Sequence, residues 1–195
     1  MSRIDELVAD LCPDGVPFKA LGELVHPVPN VKWPEVGETE FSYIDLTSVD
    51  RVTHKINDAE LVTCETAPSR AQQLVREGDV IFGTTRPTLK RYGVIPSEFD
   101  GQIASTGYCV LRPNDDFLLT NFLFHLLGTA EFCKFVETNE RGASYPAIPD
   151  SAVKQYRIPL PPLEVQREIV RVLDTFTELE AELEAELEAR RQQYA

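Results

Sequence analysis

The chain has 195 residues, a net charge of −13 and four scattered cysteines (Cys12, Cys64, Cys109 and Cys133). This length suits one domain with an appended element, and no apolar run approaches the length of a membrane span, so we predict a cytoplasmic protein with no membrane contact. The cysteines lack C-x-x-C spacing, which argues against a zinc site or a disulfide framework and favours buried free thiols.

The first part of the chain is predicted to hold a short helix, loops and one strand. Ile4, Leu7 and Leu11 form an amphipathic pattern, which Ser2 and Asp5 begin in the manner of a capping box. The following segments are predicted to be a turn (12–17), a helical turn (21–25), a proline-rich loop (26–34) and a strand (41–49).

The middle of the chain is predicted to add strands and then helices, which gives an α+β fold with a mixed β-sheet. Three strands are expected at 79–82, 92–95 and 103–111, two helices at 118–127 and 130–138, and a short helical turn at 151–155. The residues expected in the core lie in these predicted strands: Phe41, Ile44, Leu46, Val80, Ile81, Phe82, Val110 and Leu111.

One long helix is predicted after Pro161 and Pro162, because proline is tolerated in a first helical turn. The alternation of acids with Leu and Ala in 177–189 resembles a strand pattern. Leu, Ala and Glu are strong helix formers, however, and Ala and Glu are poor in strands. A helix of about 32 residues would be roughly 48 Å long. We therefore expect it to protrude from the domain.

An apolar stripe at spacings of three and four runs along this predicted helix. Its residues are Ile169, Val172, Leu173, Phe176, Leu179, Leu183 and Leu187. Acid pairs four residues apart destabilise a solitary helix, so the stripe predicts a partner helix and a homodimer paired as an antiparallel coiled coil. Packing on its own domain is an equally good interpretation of the first half of the helix.

The net negative charge argues against DNA binding, because phosphate contacts need Lys and Arg. The distribution of the acids weakens this objection. Residues 80–96 and 102–114 contain no acid, and 141–157 contains only Asp150. One neutral-to-basic face on an acidic body would bind DNA weakly by itself and would rely on partners for further positive charge.

The segment 84–92 is the first candidate for DNA contact, since it follows a strand and is rich in hydroxyl and basic groups. Its candidate residues are Thr84, Thr85, Arg86, Lys90, Arg91 and Tyr92. Arg86 is expected to contact a guanine edge, with Thr84, Thr85 and Lys90 on phosphates. The alternative interpretation is a solvated hairpin loop.

Two further segments are weaker candidates. The loop 141–145 contains a glycine that suggests a close backbone approach, although a plain tight turn is nearly as good an interpretation. Lys32 and Trp33 lie in the proline-rich loop. Trp33 is more simply interpreted as packing.

Motifs of enzymes are not found in the sequence. It contains no nucleotide-binding glycine loop, no Asn-Pro-Pro-aromatic motif of DNA amino-methyltransferases and no G-x-S-x-G motif. No lysine has an acid two residues before it, as restriction-type nucleases usually require. We predict a chain that is not an enzyme and has no metal site. A nuclease domain and a protein-interaction adaptor without a DNA role are the alternative hypotheses.

Four phrases of the sequence resemble, in the right order, those of specificity (S) subunits of type I restriction-modification systems. They are IDELVADLCPDGVPFKALGELV, EGDVIFGTTRPT, RGASYPAIPDSAVKQYRIPLPP and IPLPPLEVQREIVRVLDTF. A full S subunit carries two target-recognition domains, each followed by a long spacer helix. This chain contains one of each and so resembles half of an S subunit.

The resemblance implies a target-recognition domain at 1–160 and a spacer and dimerisation helix at 161–195. It also implies that the loop 141–145 lies on the DNA side, with Arg141, Ser144 and Tyr145 exposed. It implies a non-catalytic subunit that reads one half of a bipartite site in double-stranded DNA. The implied partners are the methyltransferase (modification) subunits, which bind S-adenosylmethionine, and the restriction motor-nuclease subunit. The chain itself is expected to hold no cofactor. A dimer about a two-fold axis would read a palindromic target.

Overall fold

The computed structural model describes residues 2–57 and 59–193. In chain order, the elements are α1 (Arg3–Leu11), β1 (Phe18–Ala20), β2 (Val25–His26), β3 (Phe41–Ile44), β4 (Glu60–Val62), β5 (Ala71–Leu74), β6 (Val80–Gly83), β7 (Tyr92–Val94), β8 (Ile103–Ser105), β9 (Tyr108–Pro113), α2 (Thr120–Leu127), α3 (Ala130–Asn139), α4 (Asp150–Gln155), β10 (Arg157–Pro159) and α5 (Leu163–Gln193). Short 3-10 helices lie at Leu21–Glu23, Trp33–Glu35, Pro87–Leu89 and Ser97–Phe99.

The chain divides into two compact units. One is Pro17–Leu160, and the other combines α1 with α5. This division differs from the predicted one at the N-terminus, where residues 1–160 were expected to form one domain. The physical reason is that α1 packs on α5. Ser2 begins α1 with a capping box in which its hydroxyl accepts from the Asp5 N–H at 3.2 Å, as predicted.

Two four-stranded sheets form the body of the Pro17–Leu160 unit. One has the order β2-β9-β6-β7 and is antiparallel, and the other has the order β4-β3-β8-β5. In the second sheet β3 and β8 run parallel, whereas the remaining pairs are antiparallel. A third, two-stranded sheet pairs β1 with β10. The predicted α+β class with mixed β structure and one long helix is confirmed.

The two faces of the β2-β9-β6-β7 sheet bury different partners because successive strand side chains point in opposite directions. Ile81, Tyr108 and Val110 pack with Ile44 and Ala104 of the other sheet. On the helical side, Phe82 meets Phe132 of α3 edge-on, with ring centroids 5.0 Å apart. The predicted core residues are buried except Phe41 and Leu46, which are only half-buried.

The predicted strand 103–111 is two strands, which is a correction with a clear cause. The chain leaves one sheet after Ser105 and enters the other at Tyr108. Gly107 fits at this crossing, since a Cβ there would lie 2.8 Å from Cδ1 of Leu46. The predicted strand 41–49 is also wrong in part, because β3 ends at Ile44. β4 and β5 were not predicted.

Candidate nucleic-acid interface

The loop after β6 has a backbone fixed in an uncommon conformation. Arg86 and Lys90 adopt left-handed φ angles of 49° and 53° on either side of the Pro87–Leu89 turn. Non-glycine residues rarely occupy this region, and such residues cluster at functional sites. The Arg86 N–H donates to the Pro146 carbonyl at 2.7 Å and the Lys90 N–H donates to the Pro87 carbonyl at 3.0 Å. Both side chains are exposed.

This loop is joined to the second candidate loop, 141–145. Ala147 exchanges backbone hydrogen bonds of 2.8 Å with Arg141 and bridges Thr85. The Arg86 guanidinium carbon lies 4.3 Å from the centre of the Tyr145 ring, which is a cation–π geometry. Two segments predicted separately, whose contacting residues Arg86 and Tyr145 are 59 positions apart in sequence, therefore form one surface.

Gly142 allows the loop 141–145 to fold back on itself. Its φ is 101°, and an added Cβ would lie 2.9 Å from the carbonyl oxygen of Tyr145. An L side chain is strained at this φ and collides with this backbone. The glycine of the loop therefore serves a close approach within the chain. Beyond it, Ser144 and Tyr145 are exposed, Tyr145 to 70%.

Thr84 and Tyr92 do not face outward, which argues against the DNA contacts predicted for them. Thr84 is 6% exposed, and its hydroxyl donates to the Gly107 carbonyl at 2.9 Å. Tyr92 is 8% exposed, and its ring lies 4.0 Å from the His54 ring and 5.3 Å from Phe124. Burial raises the pKa of the Tyr92 hydroxyl. Tyr92 belongs to the β6–β7 pairing, whereas Thr84 follows β6 and bonds to Gly107 beside β9. Both side chains are turned inward.

Thr85 and Arg91 are half-buried, between these extremes. Arg91 continues the β6–β7 ladder, since its carbonyl accepts from the Gly83 N–H at 2.7 Å. Its Nε is buried and has no hydrogen-bond partner among the residues described. Its charge lies close enough to the buried Tyr108 hydroxyl to oppose the rise in that pKa, which burial causes. Arg91 is therefore a weaker phosphate candidate than Arg86 or Lys90.

Lys32 is exposed, but it is engaged locally and lies on the other sheet. Its Nζ is 3.2 Å from Oε1 of Glu35, and the preceding residue, Val31, donates to the Gln72 carbonyl beside β5. Trp33 donates from its indole to the Ala71 carbonyl at 3.0 Å and packs edge-on against Phe41. The packing interpretation of Trp33 is confirmed, and its neighbour Lys32 contributes little net positive charge.

Arg112, a basic residue of the second acid-free segment, forms an ion pair inside the fold. It binds Asp79 in a bidentate ion pair with both distances at 2.8 Å, and the Asp79 side chain is 1% exposed. This hydrogen bonding raises the pKa of the Arg112 guanidinium. Its positive charge is therefore not available to a ligand.

One exposed cation at this end of the sheets was missed in the sequence. Arg70 precedes β5, and its carbonyl accepts from the Thr106 N–H at 2.9 Å. The carbonyl of the following residue, Gly107, accepts a hydrogen bond from the Thr84 hydroxyl. The turn 105–107 thus brings Arg70 toward the loop after β6. In the sequence, the polar pair Ser69 and Arg70 is the signal that could have indicated this cation.

The unit of α1 and α5 leaves an apolar row uncovered. Leu173, Phe176, Leu179, Leu183 and Leu187 are 37%, 61%, 49%, 59% and 56% exposed, respectively. Ile169 and Val172, nearer the start of α5, are half-buried. α5 packs on α1, which holds its own buried Leu7. Any partner helix would therefore meet mainly the row from Leu173 onward.

Over residues 2–57 and 59–193, no group of three or more His, Cys, Asp or Glu side chains is arranged to hold a metal ion. No helix in these ranges is both long enough and apolar enough to cross a membrane.

The four thiols differ in burial. Cys109 is buried, and burial raises its pKa to about 12. Cys64 is exposed, which corrects the expectation of buried thiols.

Comparisons of the sequence with known proteins identify one family. The model described as "Type I restriction modification DNA specificity domain" matches residues 54–189. The HindI type I restriction enzyme specificity subunit of Haemophilus influenzae is 28% identical over 134 residues, 67% of this chain and 28% of that protein. A putative specificity subunit of the same organism, S.HindORF215P, is 39% identical over 62 residues, 32% of this chain and 15% of that protein.

Solved structures point to the same family. The HsdS subunit of Thermoanaerobacter tengcongensis is 40% identical with a TM-score of 0.79, over 88% of this chain and 44% of that one. A chain from a structure on complex assembly and conformational transition of a type I system is 40% identical with a TM-score of 0.82, over 89% and 45%. The S subunit of M. genitalium, 14% identical with a TM-score of 0.52, shares the fold.

The chain spans less than half the length of these relatives. The prediction that it is not itself an enzyme is confirmed by the family, since specificity subunits are the non-catalytic members of type I systems. From the family match across most of the chain and the shared fold, we conclude that the chain belongs to the type I restriction-modification DNA specificity family.

Proposed function

We propose that this chain reads one half of a bipartite sequence in double-stranded DNA through the surface formed by the loops 84–92 and 141–145. The observation that carries the proposal is the contact of Arg86 with Tyr145, which joins two exposed loops from distant parts of the chain. Lys90 and Arg141 are exposed on the same two loops. Direct reading of base edges needs such outward polar side chains on a rigid support.

The exposed residues suit different parts of a DNA duplex. The guanidinium of Arg86, oriented by the Tyr145 ring, can donate two hydrogen bonds to the O6 and N7 of guanine. Lys90 and Arg141 are suited to phosphates, where a point charge or a fork of donors is sufficient. Ser144 and Tyr145 can donate hydroxyl hydrogen bonds to the sugar-phosphate backbone beside them.

We propose that DNA binding requires partner subunits. The net charge of −13 opposes approach to a polyanion, so the positive charge of two short loops gives only weak binding alone. The partners proposed are the methyltransferase subunits, which would bind S-adenosylmethionine, and the restriction motor-nuclease subunit. Supporting this, one similar structure concerns complex assembly of a type I system. This chain would hold no cofactor itself.

We also propose a homodimer through α5. The row of Phe176, Leu179, Leu183 and Leu187 is exposed on a helix of 31 residues. Apolar residues at this spacing are stable against a second helix rather than in water. An antiparallel pair about a two-fold axis would place two recognition units on one duplex and would set the distance between two half-sites.

Selection from a pool of random duplexes tests the proposed reading. The methyltransferase complex is assembled with the parent chain or with Arg86→Ala, and the bound duplexes are sequenced. The parent complex should enrich a bipartite motif, and Arg86→Ala should lose preference at one base pair per half-site, a change of roughly tenfold or more. An adaptor with no DNA role would leave the same motif, or no motif, in both selections.

A further inference from the structure

A hairpin at 49–56 presents an apolar tip between two cations, and the proposed function does not yet use it. Val49 and Ile56 form an antiparallel bridge that closes the hairpin. At the tip, Val52 is 84% exposed. Arg51 and Lys55 are also exposed. A valine this exposed contributes almost nothing to the core, so packing within the chain does not explain it.

The hairpin is held rigidly by one carboxylate. Oδ1 of Asp50 accepts from the N–H of Val52 at 2.8 Å and from the N–H of Thr53 at 2.7 Å. The Asp50 N–H donates to the Lys55 carbonyl at 3.0 Å. These backbone bonds lower the pKa of Asp50, whose charge is directed into the turn. The outer surface of the tip is therefore apolar and positive.

His54 fixes the hairpin directly beside the proposed DNA surface. Its Nδ1 lies 3.1 Å from the Tyr92 carbonyl, and its ring stacks 4.0 Å from the Tyr92 ring. A Cβ added to Gly93 would lie 2.6 Å from the His54 carbonyl oxygen, so only glycine allows this approach. Since β7 begins two residues after Lys90, the hairpin adjoins the loop that carries Arg86 and Lys90.

The charge of Lys90, on the loop after β6, acts on His54 of the hairpin. Burial is the main reason why the pKa of His54 is lowered, and the charge of Lys90 acts in the same direction, whereas Asp50 opposes it. Arg51 and Lys55 are exposed on the hairpin and Lys90 is exposed on the loop. Because His54 joins the hairpin to β7, the positive groups of the loop continue onto the hairpin. Such continuity with the proposed DNA surface favours a nucleic-acid ligand over an unrelated one.

We infer that the hairpin 49–56 is a second DNA-contacting element, in which Arg51 and Lys55 bind phosphates and Val52 packs against a sugar or a thymine methyl group in the groove. This inference rests on the proposed function and extends its surface. An apolar contact flanked by cations is a recurring way for a protein to engage a groove. Preorganisation by Asp50 and His54 means that binding orders no further backbone.

Salt dependence on random-sequence duplex tests the two cations without knowledge of the target. The probe binds the assembled methyltransferase complex, and the logarithm of the binding constant is plotted against that of salt concentration. Arg51→Ala and Lys55→Ala should each lower the slope by about one. The matched control is Arg76→Ala, an exposed cation before β6, at the end of that strand opposite to the loop 84–92. This control should keep the parental slope.

The near-isosteric substitution Val52→Thr tests the apolar tip. On duplexes enriched by the parent complex, affinity should fall about fourfold, as expected for loss of one buried methyl group, and the salt slope should not change. The substitution lies at an exposed position and should leave the melting temperature unchanged. Unchanged affinity in Val52→Thr would exclude the tip from the groove.

The outcomes separate this inference from the proposed function. If the parent complex enriches no motif from the random pool, the proposed function fails, and the inference fails with it. If Arg86→Ala relaxes the motif while the hairpin variants bind as the parent does, only the inference is overturned. Hairpin variants that no longer form the complex, as judged by size-exclusion chromatography, would assign the hairpin to the methyltransferase subunit instead and would also overturn it.

Discussion

Thr84→Val separates a structural role of Thr84 from a role in DNA binding. In the structure, the Thr84 hydroxyl donates to the Gly107 carbonyl at 2.9 Å, and the Thr84 N–H donates to the same oxygen at 2.8 Å. Valine keeps the β-branched shape and replaces the hydroxyl with a methyl group. The substitution therefore removes one buried hydrogen bond at the crossing between the two sheets.

The magnitude follows from what remains after the substitution. A hydrogen bond of this kind contributes about 0.5–1.5 kcal/mol to the free energy of unfolding. Because the Gly107 oxygen keeps its bond from the Thr84 N–H, no acceptor is left unsatisfied. We expect a loss of about 1 kcal/mol, which lowers the melting temperature of a chain of this size by about 2–4 °C.

Urea unfolding of the full chain measures the stability, and duplex binding by the assembled methyltransferase complex measures the DNA role. Thr84→Val should lower the unfolding midpoint and leave DNA affinity at the parental value. The control is Thr39→Val at an exposed position outside the loops 84–92 and 141–145, which should change neither quantity. A parental midpoint combined with a tenfold loss of DNA affinity would refute this reasoning and would return Thr84 to the phosphate-contacting set.

Four further outcomes are expected. The double substitution Leu179→Glu and Leu183→Glu should convert a dimer to a monomer in analytical ultracentrifugation, and a parent that is monomeric at high concentration would contradict the pairing of α5. Arg112→Met should cost roughly 3 kcal/mol in urea unfolding because Asp79 stays buried without its partner, and a loss below 1 kcal/mol would show that the ion pair is dispensable. The pKa of His54 is lowered in the folded chain, so on acidification the unfolded chain binds a proton at a higher pH than the folded chain does. The free energy of unfolding should therefore fall as the pH drops through 6.5, the ordinary pKa of histidine. His54→Asn, which tolerates the positive φ, should lose part of this pH dependence, and an unchanged profile would place the titration elsewhere. Finally, S-adenosylmethionine should not raise the melting temperature of the isolated chain, since a ligand at a hundred times its dissociation constant would add about 2.7 kcal/mol.

Local signals in the sequence were sufficient for the regular elements. Ser2 and Asp5 predicted the start of α1, and strong helix formers after two prolines predicted α5, because capping and helix propensity act within one or two turns. The consecutive apolar residues 80–82 predicted β6 for the same reason. The short strands β4 and β5 escaped prediction because their residues are mostly half-buried or exposed, which leaves a weak apolar pattern.

The division of the loop 84–92 into inward and outward residues was decided by the tertiary structure. Sequence placed Thr84, Arg86 and Tyr92 together in one polar segment with no acid. Thr84 and Tyr92 turn inward because Gly107 and His54 lie against them, and both of these come from other parts of the chain. No pattern of neighbouring residues carries that information.

The sequence by itself determined the family, the order of most helices and strands, and the two loops with exposed cations. Only the tertiary structure decided that Arg86 contacts Tyr145, that Arg112 forms an ion pair with Asp79, and that the hairpin around Val52 lies beside the loop that carries Arg86. The physical reason is that these contacts join residues 33 to 59 positions apart or cross from one segment to another. Their formation depends on how the sheets pack, whereas a helix cap or a strand pattern is set by residues within a few positions of each other.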